Sequence, residues 1–246
     1  MPLSIQWTAP SSDLAIHSGV VHVWAWESDC SQKALHRYVQ LLSEAEKAQI
    51  QRLHFGRDRT WRTICYARRR IILAKYLCIP AVSIAFDKSS GGRPSLTAEA
   101  NTVALDFNLS HADCVALMAI AIDLRVGIDI EAVRPIDTEI ARSCFSEMKQ
   151  QSVSRLTEGE RLSQFYKLWT QKEAVLKAEG VGLGADITAL DHEPQDHLAI
   201  GAHESRQVPG ITQPWNLQEL YPAPGYIGAI ATSRTPRHIA YYRFID

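Results

Sequence analysis

From residue 20 to 26, Val21, Val23 and Ala25 alternate with His22, Trp24 and Trp26, a period of two that predicts a strand. Ser43, with Glu46 three positions later, has the form of a capping box and predicts a helix starting near Glu44. Ile64, Ala67 and Ile71 recur at helical spacing, so 60–76 is expected to be a second helix, which Pro80 closes. The glycines and proline of 89–94, Ser-Ser-Gly-Gly-Arg-Pro, predict a loop. From 103 the period changes, as Val103, Leu105, Phe107 and Leu109 alternate with Ala104, Asp106, Asn108 and Ser110. Residues 115–122 are apolar throughout and read as a buried strand, and 125–131 alternates again with Val126, Ile128 and Ile130 on one face. Helices are expected over 136–156 and 158–179. The second carries a stripe of Phe165, Leu168, Trp169, Val175 and Leu176 and ends at Gly180, Gly182 and Gly184. Strands at 226–232 and 239–245 complete the pattern. Residues 192–225 show no motif, and Trp215 within them reads as packing. A short echo links 81–87 (Ala-Val-Ser-Ile-Ala-Phe-Asp) to 185–191 (Ala-Asp-Ile-Thr-Ala-Leu-Asp), each following a helix, as two similar halves meeting near Leu124 would.

The chain has 246 residues, 46% hydrophobic and 22% charged, which gives ample apolar material for one large or two small cores and disfavours disorder. Its 26 basic and 27 acidic side chains leave a net charge of −1, so no global field draws it to nucleic acid or an anionic membrane. The five cysteines are scattered without a CxxC pair, which points away from a zinc ribbon, a redox dithiol or a disulfide framework. No basic region followed by an apolar core opens the chain, and its longest apolar run, 114–122, is too short to span a bilayer. A cytoplasmic location is therefore expected.

Near-neutrality conceals local charge. Nine basic side chains (Lys47, Arg52, Arg57, Arg59, Arg62, Arg68, Arg69, Arg70 and Lys75) face only Glu44, Glu46 and Asp58 across 44–75, a surplus suited to a polyanion. The alternative for most of them is a solvated helix face. In 127–131, Asp129 and Glu131 share one strand face, where two carboxylates repel unless a cation or solvent lies between them. Oxygen ligands of that kind suit Mg²⁺, although two acids on a strand are equally an ordinary exposed face. Gly127 on the same face is expected to leave room for a ligand. On the long helix, Glu173 and Lys177 lie four residues apart with Trp169 one turn earlier, and Lys172 sits about 100° around. That pair offers a third carboxylate for a metal and a lysine for a phosphate, or else a routine surface salt bridge. Arg93, on its Gly-Gly-Arg-Pro loop, is a candidate phosphate donor. Ser110 and His111 end a strand but face opposite ways, which excludes a serine nucleophile with its adjacent base. Phosphate recognition by the histidine or a structural cap remain.

Taken in order, Gly92-Arg93-Pro94, Phe107-Asn108-Leu109-Ser110-His111, Val126-Gly127-Ile128-Asp129-Ile130-Glu131 and Phe165-x-x-x-Trp169-x-x-Lys172-Glu173-Ala174-x-x-Lys177 resemble the motifs of the 4′-phosphopantetheinyl transferases, in particular the longer Sfp-like type. The resemblance spans roughly 43–184. It implies an α+β fold of two similar subdomains related by a pseudo-twofold, divided as 1–123 and 124–246, with the active site in the cleft between them. It further implies a monomer that takes coenzyme A and Mg²⁺ and transfers the phosphopantetheine arm to a serine of an acyl- or peptidyl-carrier protein, with no nucleic acid or membrane partner. By the same resemblance Asp129, Glu131 and Glu173 are metal-binding acids, Lys177 meets the pyrophosphate and Lys172 stands beside Glu173. Ser110, His111 and Arg93 meet the coenzyme's phosphates, Lys47 lies near its 3′-phosphate, and Thr63, after Arg62, lies on the adenine side. Glu173 and Lys177 are the expected catalytic pair. Ile50 stands where some members carry a second lysine, so the 3′-phosphate contacts depart from the pattern.

Two other classes fit less. A Mg²⁺-dependent nuclease uses similar acids, but its Glu-x-Lys strand is missing, because Glu131 is followed by Ala132 and Val133. A nucleic-acid-binding module explains the arginines but not the paired acids.

Overall fold

In the structure, a computed structural model describing residues 5–11, 14–89, 91–137, 144–154, 156–181, 187–190, 199–200 and 211–246, the chain runs β1 (Val20–Glu27), α1 (Gln32–Leu41), α2 (Glu44–Gln51), α3 (Gly56–Leu77), β2 (Phe86–Lys88), β3 (Pro94–Leu96), β4 (Leu105–Ala112), β5 (Val115–Ile122), β6 (Val126–Ala132), α4 (Glu147–Ser154), α5 (Glu158–Glu179), β7 (Ala199–Ile200), β8 (Trp215–Leu220), β9 (Tyr226–Thr232) and β10 (His238–Arg243). The α+β expectation holds.

The capping box is present at α2, where Ser43 Oγ accepts from the Glu46 amide and Glu46 Oε2 accepts from the Ser43 amide. A second box, Thr157 with Glu160, opens α5. Helix α1 has no such sequence signal, since its cap Ser31 is followed three residues later by Ala34, whose amide the serine hydroxyl accepts. The helix expected over 136–156 is shorter: α4 starts at Glu147, and 138–143 and 155 lie outside the described residues. Gly182 and Gly184 also lie outside them, as do Ala185, Asp186 and Asp191 of the echo. Within its described parts, Ala81–Ser83 and Ile187–Leu190 are both short 3₁₀ turns, while Phe86 and Asp87 lie in β2.

Two four-stranded sheets carry the molecule, ordered β10-β1-β5-β4 and β6-β9-β8-β7. In the first, β1 and β4 pair antiparallel with β5, while β10 returns from the far end of the sequence to lie parallel to β1, Val23 opposite Tyr241. The last strand thus crosses the division expected at 123/124. Alternation sends Trp24, Phe107, Met118 and Ile120 to one face, against Ile64, Ile72 and Leu73 of α3. The other face, with Val21, Val23, Leu117 and Ala119, packs on Val126, Ile128 and Ile130 of β6. Beyond the second sheet, Ala174, Val175 and Ala178 of α5 meet Trp215, Ala229 and Ala231. The layers are helix, sheet, sheet, helix, and Trp215 is a fully buried part of the outer core. No described helix is long and apolar enough to cross a membrane. None of the five cysteines forms a disulfide.

Where α3 meets the first sheet, Trp24 Nε1 donates to the Tyr76 hydroxyl at 2.8 Å, and His22 Nδ1 lies 2.8 Å from that same oxygen. An indole nitrogen only donates, so the Tyr76 oxygen accepts from Trp24, and the direction of the His22 bond is set by the imidazole tautomer. Burial, aided by the charges of His238 and His17, lowers the His22 pKa to about 4. A depressed histidine pKa favours the neutral folded form, so its contribution is complete above the ordinary value near 6.5 and is lost as pH falls toward 4. Thermal melts should show Tm dropping across that window, and less steeply in His22→Gln. Equal slopes in both proteins would refute the assignment.

Candidate active site

Strands β4 and β6 belong to different sheets and are not paired by a backbone ladder, yet they lie side by side. Side chains join them at a spacing of two. Asp106 Oδ2 accepts from the Val126 amide at 2.8 Å, Asn108 Oδ1 accepts from the Ile128 amide at 2.9 Å, and Ser110 Oγ donates to Asp129 Oδ1 at 2.9 Å. The polar half of the β4 alternation is therefore a zipper between the two sheets.

At its far rung the expected residues converge. Lys177 Nζ, from α5, donates to Ser110 Oγ at 2.9 Å and to Asp129 Oδ1 at 2.5 Å. Glu173, one turn earlier on α5, is buried, and Trp169 Nε1 reaches Glu131 Oε1 at 3.3 Å. The Trp169 ring stacks on Phe165 at 6.1 Å, which fixes the indole that orients Glu131. Neither Trp169 nor Asn108 received a role from sequence reasoning, although both stand within the quoted motifs.

Three carboxylates thus share a region with one ammonium group. Burial raises the pKa of Asp129 against the pull of Lys177, and burial with the charge of Asp129 raises Glu131. Burial and then Asp129 push Glu173 up to about 7. Two oxygens, Asp129 Oδ2 and Glu173 Oε1, are buried with no hydrogen-bond partner among the described residues. Unpartnered buried acceptors are costly, and acids that raise one another's pKa mark a place deficient in positive charge. Among the described residues no three acidic, histidine or cysteine side chains form a ready-made metal cage. The donor chemistry nonetheless fits Mg²⁺, which takes one or two carboxylates and completes its shell with water and phosphate oxygens.

Gly127 corrects an expectation. Its open side is filled by α5, not by a ligand: a Cβ there would lie 1.9 Å from Ala174 O and 2.7 Å from Ala178 N. The glycine lets the helix bearing Glu173 and Lys177 sit directly on the strand bearing Asp129 and Glu131.

The remaining expected residues divide into two groups. His111 faces α3, its ring edge-on to Trp61 at 5.8 Å, and burial with the charges of Arg62 and Lys177 lowers its pKa to about 4. Arg62 lies over the Tyr66 ring, and Lys47 is held by an ion pair with the exposed Glu44 at 2.8 Å. Trp61, which sequence reasoning passed over, buries its indole nitrogen beside this group with no partner among the described residues. By contrast, Thr63 is buried and gives its hydroxyl to Arg59 O, Lys172 is buried with its ammonium on Cys144 O and over the Phe145 ring, and Arg93 is bound to Asp106.

The basic stretch is likewise divided. Arg69 and Arg70 pair with buried Glu46, and Arg68 holds Asp246, Tyr38 and the carbonyls of Glu27 and Asp29. These three arginines are internal. The charge left outward comes from Arg52, Arg57, Arg59 and Lys75, with Lys47 and Arg62 partly covered.

The sequence pattern of the 4′-phosphopantetheinyl transferase superfamily matches residues 125–231, and that of the 4′-phosphopantetheinyl transferase N-terminal region matches 25–122. The chain is 30% identical over 230 residues to the 4′-phosphopantetheinyl transferase HetI of Nostoc sp., covering 92% of this chain and 93% of that one. It is 25% identical over 207 residues to the 4′-phosphopantetheinyl transferase Sfp of Bacillus subtilis, covering 82% and 87%. With the human L-aminoadipate-semialdehyde dehydrogenase-phosphopantetheinyl transferase it shares 28% identity over 165 residues, 63% of this chain and 53% of that one.

Proposed function

Because the chain belongs to the 4′-phosphopantetheinyl transferase superfamily, we propose that it transfers the phosphopantetheine arm of coenzyme A to a serine of an acyl- or peptidyl-carrier protein and releases adenosine 3′,5′-bisphosphate. The observation that carries this reading is the convergence of Asp129, Glu131 and Glu173 with Ser110 and Lys177 at the junction of β4, β6 and α5. Each sheet lies under one 22-residue helix, α3 or α5, an arrangement that supports a pseudo-twofold with the substrate between the halves.

In the reaction a serine oxygen forms a bond to the β-phosphorus of the coenzyme's pyrophosphate, and the bond from that phosphorus to the bridging oxygen breaks. The serine proton goes to a base, and the leaving phosphate carries away the electron pair. Asp129, Glu131 and Glu173 would hold Mg²⁺, which when bound neutralises the pyrophosphate charge that repels the nucleophile. Lys177 is 31% exposed along its side chain, so its ammonium reaches solvent as well as Asp129 and is placed to stabilise negative charge on the departing phosphate. Lys47, Arg62 and His111 form the coenzyme side. The Lys47–Glu44 pair is a surface pair, weak enough for a phosphate to displace.

Two roles are open to Glu173: base for the serine proton, directly or through water, and metal ligand. As base, its near-neutral pKa in the metal-free protein suits proton transfer at physiological pH. Glu173→Gln is expected to lower kcat about a hundredfold while coenzyme A affinity, measured by calorimetry, changes by less than about threefold. Equal losses in both would assign the side chain to binding.

A further inference from the structure

The resemblance places Arg93 on the coenzyme's phosphates, but its Nη2 is committed elsewhere, and its Nε is buried with no partner among the described residues. Only 12% of the side chain is exposed. Its Nη2 lies 2.9 and 2.8 Å from the two oxygens of Asp106, 3.1 Å from Phe107 O and 2.8 Å from Val126 O. Three of those contacts are to β4, two of them through the Asp106 carboxylate, and the Val126 carbonyl belongs to the first residue of β6. Asp106 closes the circuit by accepting from the Val126 amide. Arg93 therefore sits at the first rung of the zipper whose last rung is Ser110–Asp129.

The loop that carries it is fastened at a second place. Ser89 and Arg93 close a tight turn, with the Ser89 amide on Arg93 O at 2.9 Å and the Gly92 amide on Ser89 O at 2.8 Å. That turn lies against the end of α5: a Cβ on Gly91 would stand 1.8 Å from Gly180 O, the left-handed cap three residues beyond Lys177. One loop thus touches β4, the start of β6 and the cap of α5, the three elements that bring Ser110, Asp129 and Lys177 together.

We propose that Arg93 is a positioning residue, a clasp that holds β4, β6 and α5 in register so that Ser110, Asp129 and Lys177 meet, and that it does not contact the coenzyme's anion. The proposal rests on the transfer reaction above for its kinetic readout, and on amide exchange for a readout independent of it. Breaking the clasp displaces reacting groups without removing any group that binds the coenzyme, so the loss falls on turnover. Gly91→Ala, which lifts the loop from α5 without touching the arginine, produces the same kind of loss.

The test compares Arg93→Met, Asp106→Asn, the double variant and Gly91→Ala. Turnover is measured at saturating coenzyme A, affinity by calorimetry with coenzyme A alone, and exchange at the Val126 and Ile128 amides by hydrogen–deuterium exchange. Each variant should lose about tenfold or more in kcat per folded molecule, keep coenzyme A affinity within about threefold, and the double variant should be little worse than either single. Both amides should exchange faster in Arg93→Met. A tenfold loss of affinity in Arg93→Met with normal kcat would overturn the proposal and make Arg93 a phosphate contact. Unchanged kcat per folded molecule with a lowered Tm would reduce it to a stabilising pair. If the wild-type protein modifies no carrier, the transfer reading fails, and the amides still decide the clasp: unchanged exchange overturns it.

Discussion

Asp129→Ala is expected to abolish carrier modification, by about a thousandfold or more, in a protein that still folds. Asp129 is 2% exposed, with one oxygen on Ser110 and Lys177 and the other without a partner. Its raised pKa means that burial disfavours the carboxylate even beside Lys177, so the folded state loses little when the charge goes. Lys177, partly exposed, can hydrate once its partner is removed. Function is different, because no other strand residue brings a carboxylate to that point. Asp129→Asn, which keeps the shape and the acceptor for Ser110, should fail almost as completely. Circular dichroism and a melting curve establish folding. Near-normal turnover of either variant at saturating Mg²⁺ would remove Asp129 from the reaction.

Gly127→Ala is expected to have the largest effect on the fold. The added methyl would meet Ala174 O at 1.9 Å, Ala178 N at 2.7 Å and Ala178 Cβ at 2.8 Å. Two of the three are helix backbone, which cannot swing aside as a flexible side chain does. Either α5 lifts from β6 or the strand bends, at a cost of about 3 kcal/mol, equivalent to a fall in Tm of roughly 10 °C. Activity should fall with it, since α5 carries Glu173 and Lys177. Gly159→Ala on the same helix is the control: open space surrounds that position, so helix propensity predicts a small gain. A Gly127→Ala protein that melts with the wild type would contradict the seating of α5 on β6.

The parts of the site legible in the sequence are those set by local periodicity. Asp129 and Glu131 share a strand face, and Glu173 and Lys177 share a helix face, whatever the rest of the chain does. The two faces meet because Gly127 admits the helix, a use of glycine that the sequence could not distinguish from room for a ligand. Charges were the least legible. Arg68, Arg69 and Arg70 read as surface because isolated charges stay in water. Their partners are remote in sequence: Glu46, itself occupied in a helix cap, and Asp246, whose carboxylate lies 178 positions from Arg68. Lys172 shows the same limit, since being next to Glu173 on a helix turned it toward Cys144 rather than into the site. The parallel pairing of β10 with β1 is likewise set by packing across the whole chain, not by any pattern within either strand.

The most direct measurement incubates the protein with coenzyme A, Mg²⁺ and each of several apo carrier proteins, then weighs the carriers and assays the nucleotide released. The predicted result is a gain of about 340 Da, the transferred arm, on one carrier serine, with an equal amount of adenosine 3′,5′-bisphosphate. Carriers of unchanged mass throughout, with coenzyme A intact, would contradict the proposed function.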